Sequence, residues 1–155
     1  MAARPVGRVA LMSIHPEFAD AILSGAKTVE FRKHRIADDV THVVIYVTQP
    51  VAAVVGIFEV AGQLTTSPSS LWRTFRSVAG ISRHRFFDYF GDRDHGTGIA
   101  VRRVYPFATH LSLADSTGVR RPPQSFQYLS ADQGARVLLL AGSPTVTSLA
   151  KREAR

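Results

Sequence analysis

The run Leu11-Met-Ser-Ile-His-Pro-Glu-Phe-Ala-Asp-Ala-Ile-Leu-Ser-Gly-Ala-Lys-Thr-Val-Glu-Phe-Arg-Lys33 changes its hydrophobic period midway, and that change decides the fold class. The residues leading into it, 8–14, are apolar with β-branched Val9 and Ile14 and read as a strand. Pro16 then stands where a first helical residue would, since its missing N–H costs nothing there. Phe18, Ala19, Ile22 and Leu23 follow at helical spacing, and Gly25 stops the helix. From Thr28 to Lys33 the period becomes two, with Val29 and Phe31 on one face and Thr28, Glu30 and Arg32 on the other. Strand, helix and half-buried strand in so short a span imply an α+β chain.

Further along, residues 42–48 and 53–61 are rich in Val and Ile and read as more deeply buried strands joined by a turn at Gln49-Pro50. Two short helices follow, one from the Ser67-Pro68 cap to near Gly80, the other from Ser82 to Gly91. Residues 97–104 read as another strand, Tyr105-Pro106-Phe107 as the lead into a short extended piece, and 114–127 as a loop. Ser130 with Gln133 makes a capping box for a last helix through about Ala141. No internal repeat is visible. Residues 1–142 read as a single domain and 143–155 as a flexible basic tail.

The chain has 155 residues, 45% of them hydrophobic and 20% charged, which suits one globular core and excludes a disordered polyelectrolyte. It has no Cys, so disulfides, thiolate metal sites and cysteine nucleophiles are excluded together. No apolar run approaches the roughly 20 residues that span a bilayer, and the first residues lack the apolar core of a signal peptide. The expected location is cytoplasmic, with no membrane partner. The formal charge is +7, and without the last five residues it is still +5. Such an excess favours a polyanionic partner. Of the 19 basic residues, only Lys27, Lys33 and Lys151 are Lys.

Two of those three lysines flank the densest polar constellation, Gly25-Ala-Lys-Thr-Val-Glu-Phe-Arg-Lys33. Lys27 stands at the entrance to a strand face carrying Glu30 and Arg32. A compact amine whose pKa burial can move is chemically distinct from a guanidinium that stays charged. Ammonium, carboxylate and guanidinium together can bind a planar heterocycle or a phosphate. The plainer reading is an exposed strand face with an ion pair.

A second feature is the stretch between Glu59 and Asp88, which holds no acid but carries Arg73, Arg76, Arg83 and Arg85, with Trp72 among them. Arg73 and Arg76 are three apart and hence neighbours on one helix face. Such residues neutralise phosphates or simply form a solvated face. Phe86, Phe87 and Phe90 lie at core-facing helical spacing, while Trp72 and Tyr89 stay open as stacking candidates. His15 lines a cleft or caps the first helix, the cap being the favoured reading. Asp92, Asp94 and His95 form a second rim or an ordinary turn. The six His show no H-E-x-x-H spacing, so neither metal nor other cofactor is expected.

The motif G-x-K-x-x-E-x-R, with Leu11 to Lys33, Val44-Ile-Tyr-Val and Val54-Val-Gly-Ile-Phe-Glu-Val60, resembles the ASCH domain over about residues 8–107. Arg121-Pro-Pro-Gln-Ser-Phe126 is similar to an element of the ASCH proteins described as predicted transcriptional regulators. The resemblance implies a small, mostly antiparallel PUA-like β-barrel with flanking helices, a cleft beside the first helix, and binding of RNA or nucleotides. Its enzymatic alternative is an amidohydrolase of N-acylated nucleosides such as N4-acetylcytidine. Lys27 corresponds to that group's lysine, while Glu30 stands in place of its threonine nucleophile, and the expected carboxylate between the two middle helices is missing. If the chain is an enzyme, Lys27 and Glu30 are the candidate catalytic residues.

These readings converge on a cleft made by Ser13, Lys27, Glu30 and Arg32 that takes a nucleotide or modified base. Arg73, Arg76, Arg83 and Arg85 are the expected contacts to RNA or single-stranded nucleic acid. A protein partner is left open.

Overall fold

β1 is Arg8–Ile14, and the chain turns at His15 into α1, Pro16–Ser24. Gly25 ends that helix at φ 86°, a left-handed value reached without strain by a residue lacking Cβ, and its N–H donates to the Ile22 carbonyl at 3.1 Å. β2 is Val29–Arg32, β3 Val40–Val47 and β4 Ala53–Thr66. α2, Pro68–Phe75, and α3, Arg83–Phe90, each start at a serine whose side chain accepts a backbone N–H, from Ser70 and Arg85 respectively. β5 is Gly96–Leu111, α4 Leu113–Thr117, β6 Phe126–Tyr128, and α5 Ala131–Leu140 starts at the reciprocal Ser130–Gln133 box. This computed structural model describes residues 5–141, so the expected tail at 143–155 lies outside the described residues.

The six strands form one sheet in the order β2-β5-β4-β3-β1-β6. Every pairing is antiparallel except β1 with β3, which α1 and β2 separate in sequence. The sheet curls into a half-barrel, and with the five helices of the described residues gives the expected α+β fold. The hollow of the curl is filled by Met12, Ile22, Val43, Ile45, Phe58 and Ile99 among others, all without exposed surface. α4 and α5 cover the opposite face over Leu11, Val44 and Ile57, while α2 and α3 pack Leu71, Phe86 and Phe90 against Val29 and Phe31 of β2.

Five elements differ from the reading of the sequence: β4, β5, α2, α4 and β6. β4 runs on to Thr66 and β5 starts at Gly96, because Gly62 to Thr66 pair with Ala100 to Gly96 although the apolar pattern has ended. A ladder is made by backbone groups, which continue where hydrophobic side chains stop. β5 also carries Pro106, which sits beside a register shift, where a missing N–H is tolerated. α2 stops at Phe75 rather than near Gly80, leaving residues 76–82 as a loop. Finally, the stretch 114–127 is not all loop: it holds the end of α4, capped by Ser112 and Gly118, and the start of β6.

Candidate ligand cleft at the barrel seam

β2 lies at one end of the sheet order and β1 close to the other, yet the curl brings them together. Arg32 bridges them. Its Nη2 donates to the Ser13 carbonyl at 2.6 Å and its Nη1 to Ser125 Oγ at 3.1 Å. The Ser13 hydroxyl in turn donates to the Pro123 carbonyl at 2.6 Å, so the Arg121 to Phe126 segment is fastened along the same seam. Where the strands do not close, a cleft of about 250 Å³ opens, lined by Ser13, His15, Phe18, Lys27, Glu30 and Arg32, with Ile81, Arg85 and Tyr89 from the α2–α3 side. All four residues expected at the cleft therefore meet there.

Lys27 is 2% exposed. Its Nζ donates to the Ala79 carbonyl and lies 5.2 Å from the Phe18 ring centroid and 5.0 Å from that of Phe31. The stem passes over Gly80, and a Cβ there would stand 2.6 Å from Lys27 Cβ. Lys27 thus holds the loop between α2 and α3 against the cleft, an arrangement that Thr28 N–H extends by donating to the Val78 carbonyl at 3.1 Å. Burial pushes the Lys27 amine below its ordinary value, and the charge of Glu30 opposes that shift.

Glu30 is 7% exposed, and its Oε2 is buried with no hydrogen-bond partner. Arg32 Nε is likewise buried and unpartnered, although the two terminal nitrogens are engaged. A carboxylate only accepts and a guanidinium only donates, so the cleft keeps one acceptor and one donor unsatisfied on alternate residues of a strand. Tyr89 is 37% exposed, with Lys33 Nζ 5.0 Å from its ring centroid. Burial raises the Tyr89 hydroxyl above its usual range, with Arg32 lowering and Glu30 raising it. Arg85 at the rim pairs with Glu17 at 2.6 Å and lies over the Phe18 ring at 4.9 Å.

The other expectations divide. Phe86 and Phe90 are core, as read, and Phe87 is partly buried beside Trp72. Arg73 on α2, Arg76 at its C-cap and Arg83 on α3 are exposed, Arg83 lying 5.0 Å from the Phe87 ring centroid. His15 occupies the N-cap position of α1 without making a side-chain cap bond; its Nδ1 is 3.4 Å from Thr48 Oγ1 and its ring lines the cleft, so lining replaces the favoured cap. Asp92, Asp94 and His95 are exposed and do not line the cleft. Sequence reasoning missed Phe18 and Ile81 as lining. The first reads as an ordinary apolar helix position, and the second is placed by a loop that leaves no periodic signal. Among the described residues no group of three or more His, Cys, Asp or Glu stands ready for a metal, and no helix is long and apolar enough to cross a membrane.

A curled sheet with its seam tied by an arginine, and a cleft of buried charges and aromatic rings beside the first helix, defines a small α+β half-barrel domain with one candidate ligand cleft at its seam. The ASCH domain model matches residues 12–104, and the chain belongs to the ASCH domain family. It is similar to a protein of Zymomonas mobilis subsp. mobilis named ASCH domain-containing ribonuclease, 30% identical over 140 residues, 88% of this chain and 94% of that one. The crystal structure of ASCH from Zymomonas mobilis matches with TM-score 0.78 at 29% identity, covering 85% of this chain and 94% of that one. A hypothetical protein from Leishmania major shares the fold alone, at TM-score 0.51 and 16% identity.

Proposed function

We propose that the chain binds single-stranded RNA and that one unpaired nucleotide enters the cleft formed by Ser13, Lys27, Glu30 and Arg32. The observation that carries this is the buried Glu30 carboxylate with an unpartnered oxygen in a cleft walled by Phe18 and Tyr89 and rimmed by Arg85. A buried acceptor left unmade costs about 1–3 kcal/mol, and a base edge supplies the donor it lacks. Unstacked bases are recognised in this manner, by rings against their faces and polar groups at their edges. Arg85 is placed for a phosphate, while the exposed Arg73, Arg76 and Arg83 extend positive charge beyond the cleft mouth. The folding unit in this reading is residues 1–142, with the basic segment 143–155 adding charge.

A second reading, cleavage of the bound RNA, is favoured by the name of the Zymomonas relative. Lys27 and Glu30 are then the candidates for moving protons, the amine because burial eases its loss of one. Hydrolysis of an N-acyl group is not proposed, since position 30 offers no hydroxyl nucleophile. The regulator-type segment Arg121 to Phe126 backs the cleft through Pro123 and Ser125.

The test is fluorescence anisotropy with a labelled single-stranded RNA, read beside the integrity of that RNA on a gel. Salt-sensitive binding that weakens about tenfold in Arg85→Ala or Glu30→Gln is the expected result. Binding indifferent to both substitutions removes the cleft from the function. Cleavage that Lys27→Met abolishes favours the second reading.

A further inference from the structure

Among the described residues, Glu30 Oε2 and Arg32 Nε are the two buried side-chain polar atoms of the cleft that find no hydrogen-bond partner. They belong to alternate residues of β2 and so face the same side. The other two nitrogens of Arg32 are held by Ser13 and Ser125, which fixes its guanidinium and leaves Nε as its one buried nitrogen without a partner among the described residues. A ligand that satisfies both groups presents donors to the carboxylate and, beside them, an acceptor to the guanidinium.

The four bases differ on this point. The Watson–Crick edge of guanine carries the O6 acceptor next to two adjacent donors, N1–H and N2–H. A carboxylate accepts both donors side by side. Cytosine offers one amino donor followed by two acceptors, which a carboxylate repels. Adenine turns the N1 lone pair toward the carboxylate beside its single amino group. Uracil has one imide N–H flanked by two carbonyl oxygens. Guanine alone matches the carboxylate with two donors while keeping an acceptor for Arg32.

We propose that the cleft selects guanine, with N1–H and N2–H on Glu30, O6 toward Arg32 Nε, and the purine face against Tyr89 or Phe18. This rests on the reading of the cleft as a nucleotide site. The purine ring system suits the lining, whose rings include Phe18 on α1 and Tyr89 on α3. Arg85, exposed at the rim and paired with the equally exposed Glu17, exchanges that partner for a 5′-phosphate at little cost.

The experiment is an NMR titration of the 15N-labelled full chain with the 5′-monophosphates of guanosine, inosine, adenosine, cytidine and uridine. Expected are shifts at the amides of Ile14, Phe31 and Ile81, half-saturated by the guanosine nucleotide at a concentration at least about tenfold below that needed for adenosine, cytidine or uridine. Inosine, which lacks the N2 amino group, falls between. Glu30→Gln removes the guanosine advantage, and where that variant fails to fold, the inosine comparison in the parent protein carries the test. Cleft shifts of equal midpoint for all five, or a preference for another base, overturn guanine selection while leaving a nucleotide site. No cleft shift with any of the five, while single-stranded RNA still binds at Arg73 and Arg76, overturns the cleft reading and this inference with it.

Discussion

Arg32 donates through Nη2 to the Ser13 carbonyl at 2.6 Å, tying β2 to β1, two strands that β5, β4 and β3 separate in the sheet. The seam bond makes a residue of the cleft also a residue of the fold, so substitution there moves stability together with affinity. Arg32→Lys keeps the charge but loses the fork that reaches Ser13 and Ser125 at once. The expected cost is about 1.5 kcal/mol for a charged hydrogen bond lost, a drop of about 3–6 °C in Tm for a domain of this size. Thermal melts followed by circular dichroism measure it, and an unchanged Tm means that the seam holds without the arginine.

Gly80 has φ 60°, and any Cβ placed there would meet Lys27 Cβ at 2.6 Å and Cγ at 2.7 Å. Those atoms are the root of the side chain, so they cannot swing aside. Gly80→Ala therefore combines a left-handed backbone with a clash, at a cost of about 1–3 kcal/mol. It should also displace Ala79 from Lys27 Nζ. Chemical denaturation gives the stability change; a variant as stable as the parent, with unshifted Ala79 and Lys27 resonances, contradicts the packing described.

Much of this was legible locally. Pro16, Gly25, Ser67, Ser82 and the Ser130–Gln133 box fixed helix ends because caps act within a few residues of chain. The same signal, Ser112 with Asp115 and Gly118, marks α4, but it borders a stretch whose Gly, Pro and Arg give it the composition of a loop. The cleft's polar members were legible from the period of β2, which put Glu30 and Arg32 on one face. Their partners were not. Ser125 is 93 residues from Arg32 and Ala79 is 52 from Lys27, distances at which no spacing rule operates. The extension of β4 past Ala61 was equally hidden, since Gly62 to Thr66 have the composition of a loop and are strand only because β5 pairs with them.

The arginines on α2 make a separate prediction. Arg73 bonds only locally, to Ser70 Oγ at 3.1 Å, and Arg76 is the exposed C-cap residue of α2, so neither supports the core. Reversing both to Glu should leave Tm within about 1–2 °C, as surface changes do. RNA affinity should fall and the slope of log K against log salt should flatten by about 1 to 2, since each phosphate contact adds roughly 0.7 to the slope for a single strand. Anisotropy titrations across a salt series measure both quantities. A slope equal to the parent's assigns the two residues to a solvated face.

The last prediction concerns the Lys27 amine, which burial drives below its ordinary value of 10.5 while the Glu30 charge opposes the shift. The unfolded chain keeps the ordinary value, so between the folded pKa and 10.5 it holds a proton that the folded chain has released. Stability therefore rises with pH across that window: the penalty for burying the charge is complete below the folded pKa and absent above 10.5. Lys27→Met keeps an unbranched stem over Gly80 and between Phe18 and Phe31 while removing the titration. The groups facing the amine are Glu30 and the Ala79 carbonyl; Tyr89, whose hydroxyl burial raises, titrates in parent and variant alike and cancels in their difference. Urea denaturation of both proteins from about pH 7 to about pH 10 should show the parent gaining stability relative to the variant as pH rises. A difference that stays constant over that range means that the amine keeps its ordinary value inside the fold, and the burial of its charge is then offset by the two rings and the carbonyl.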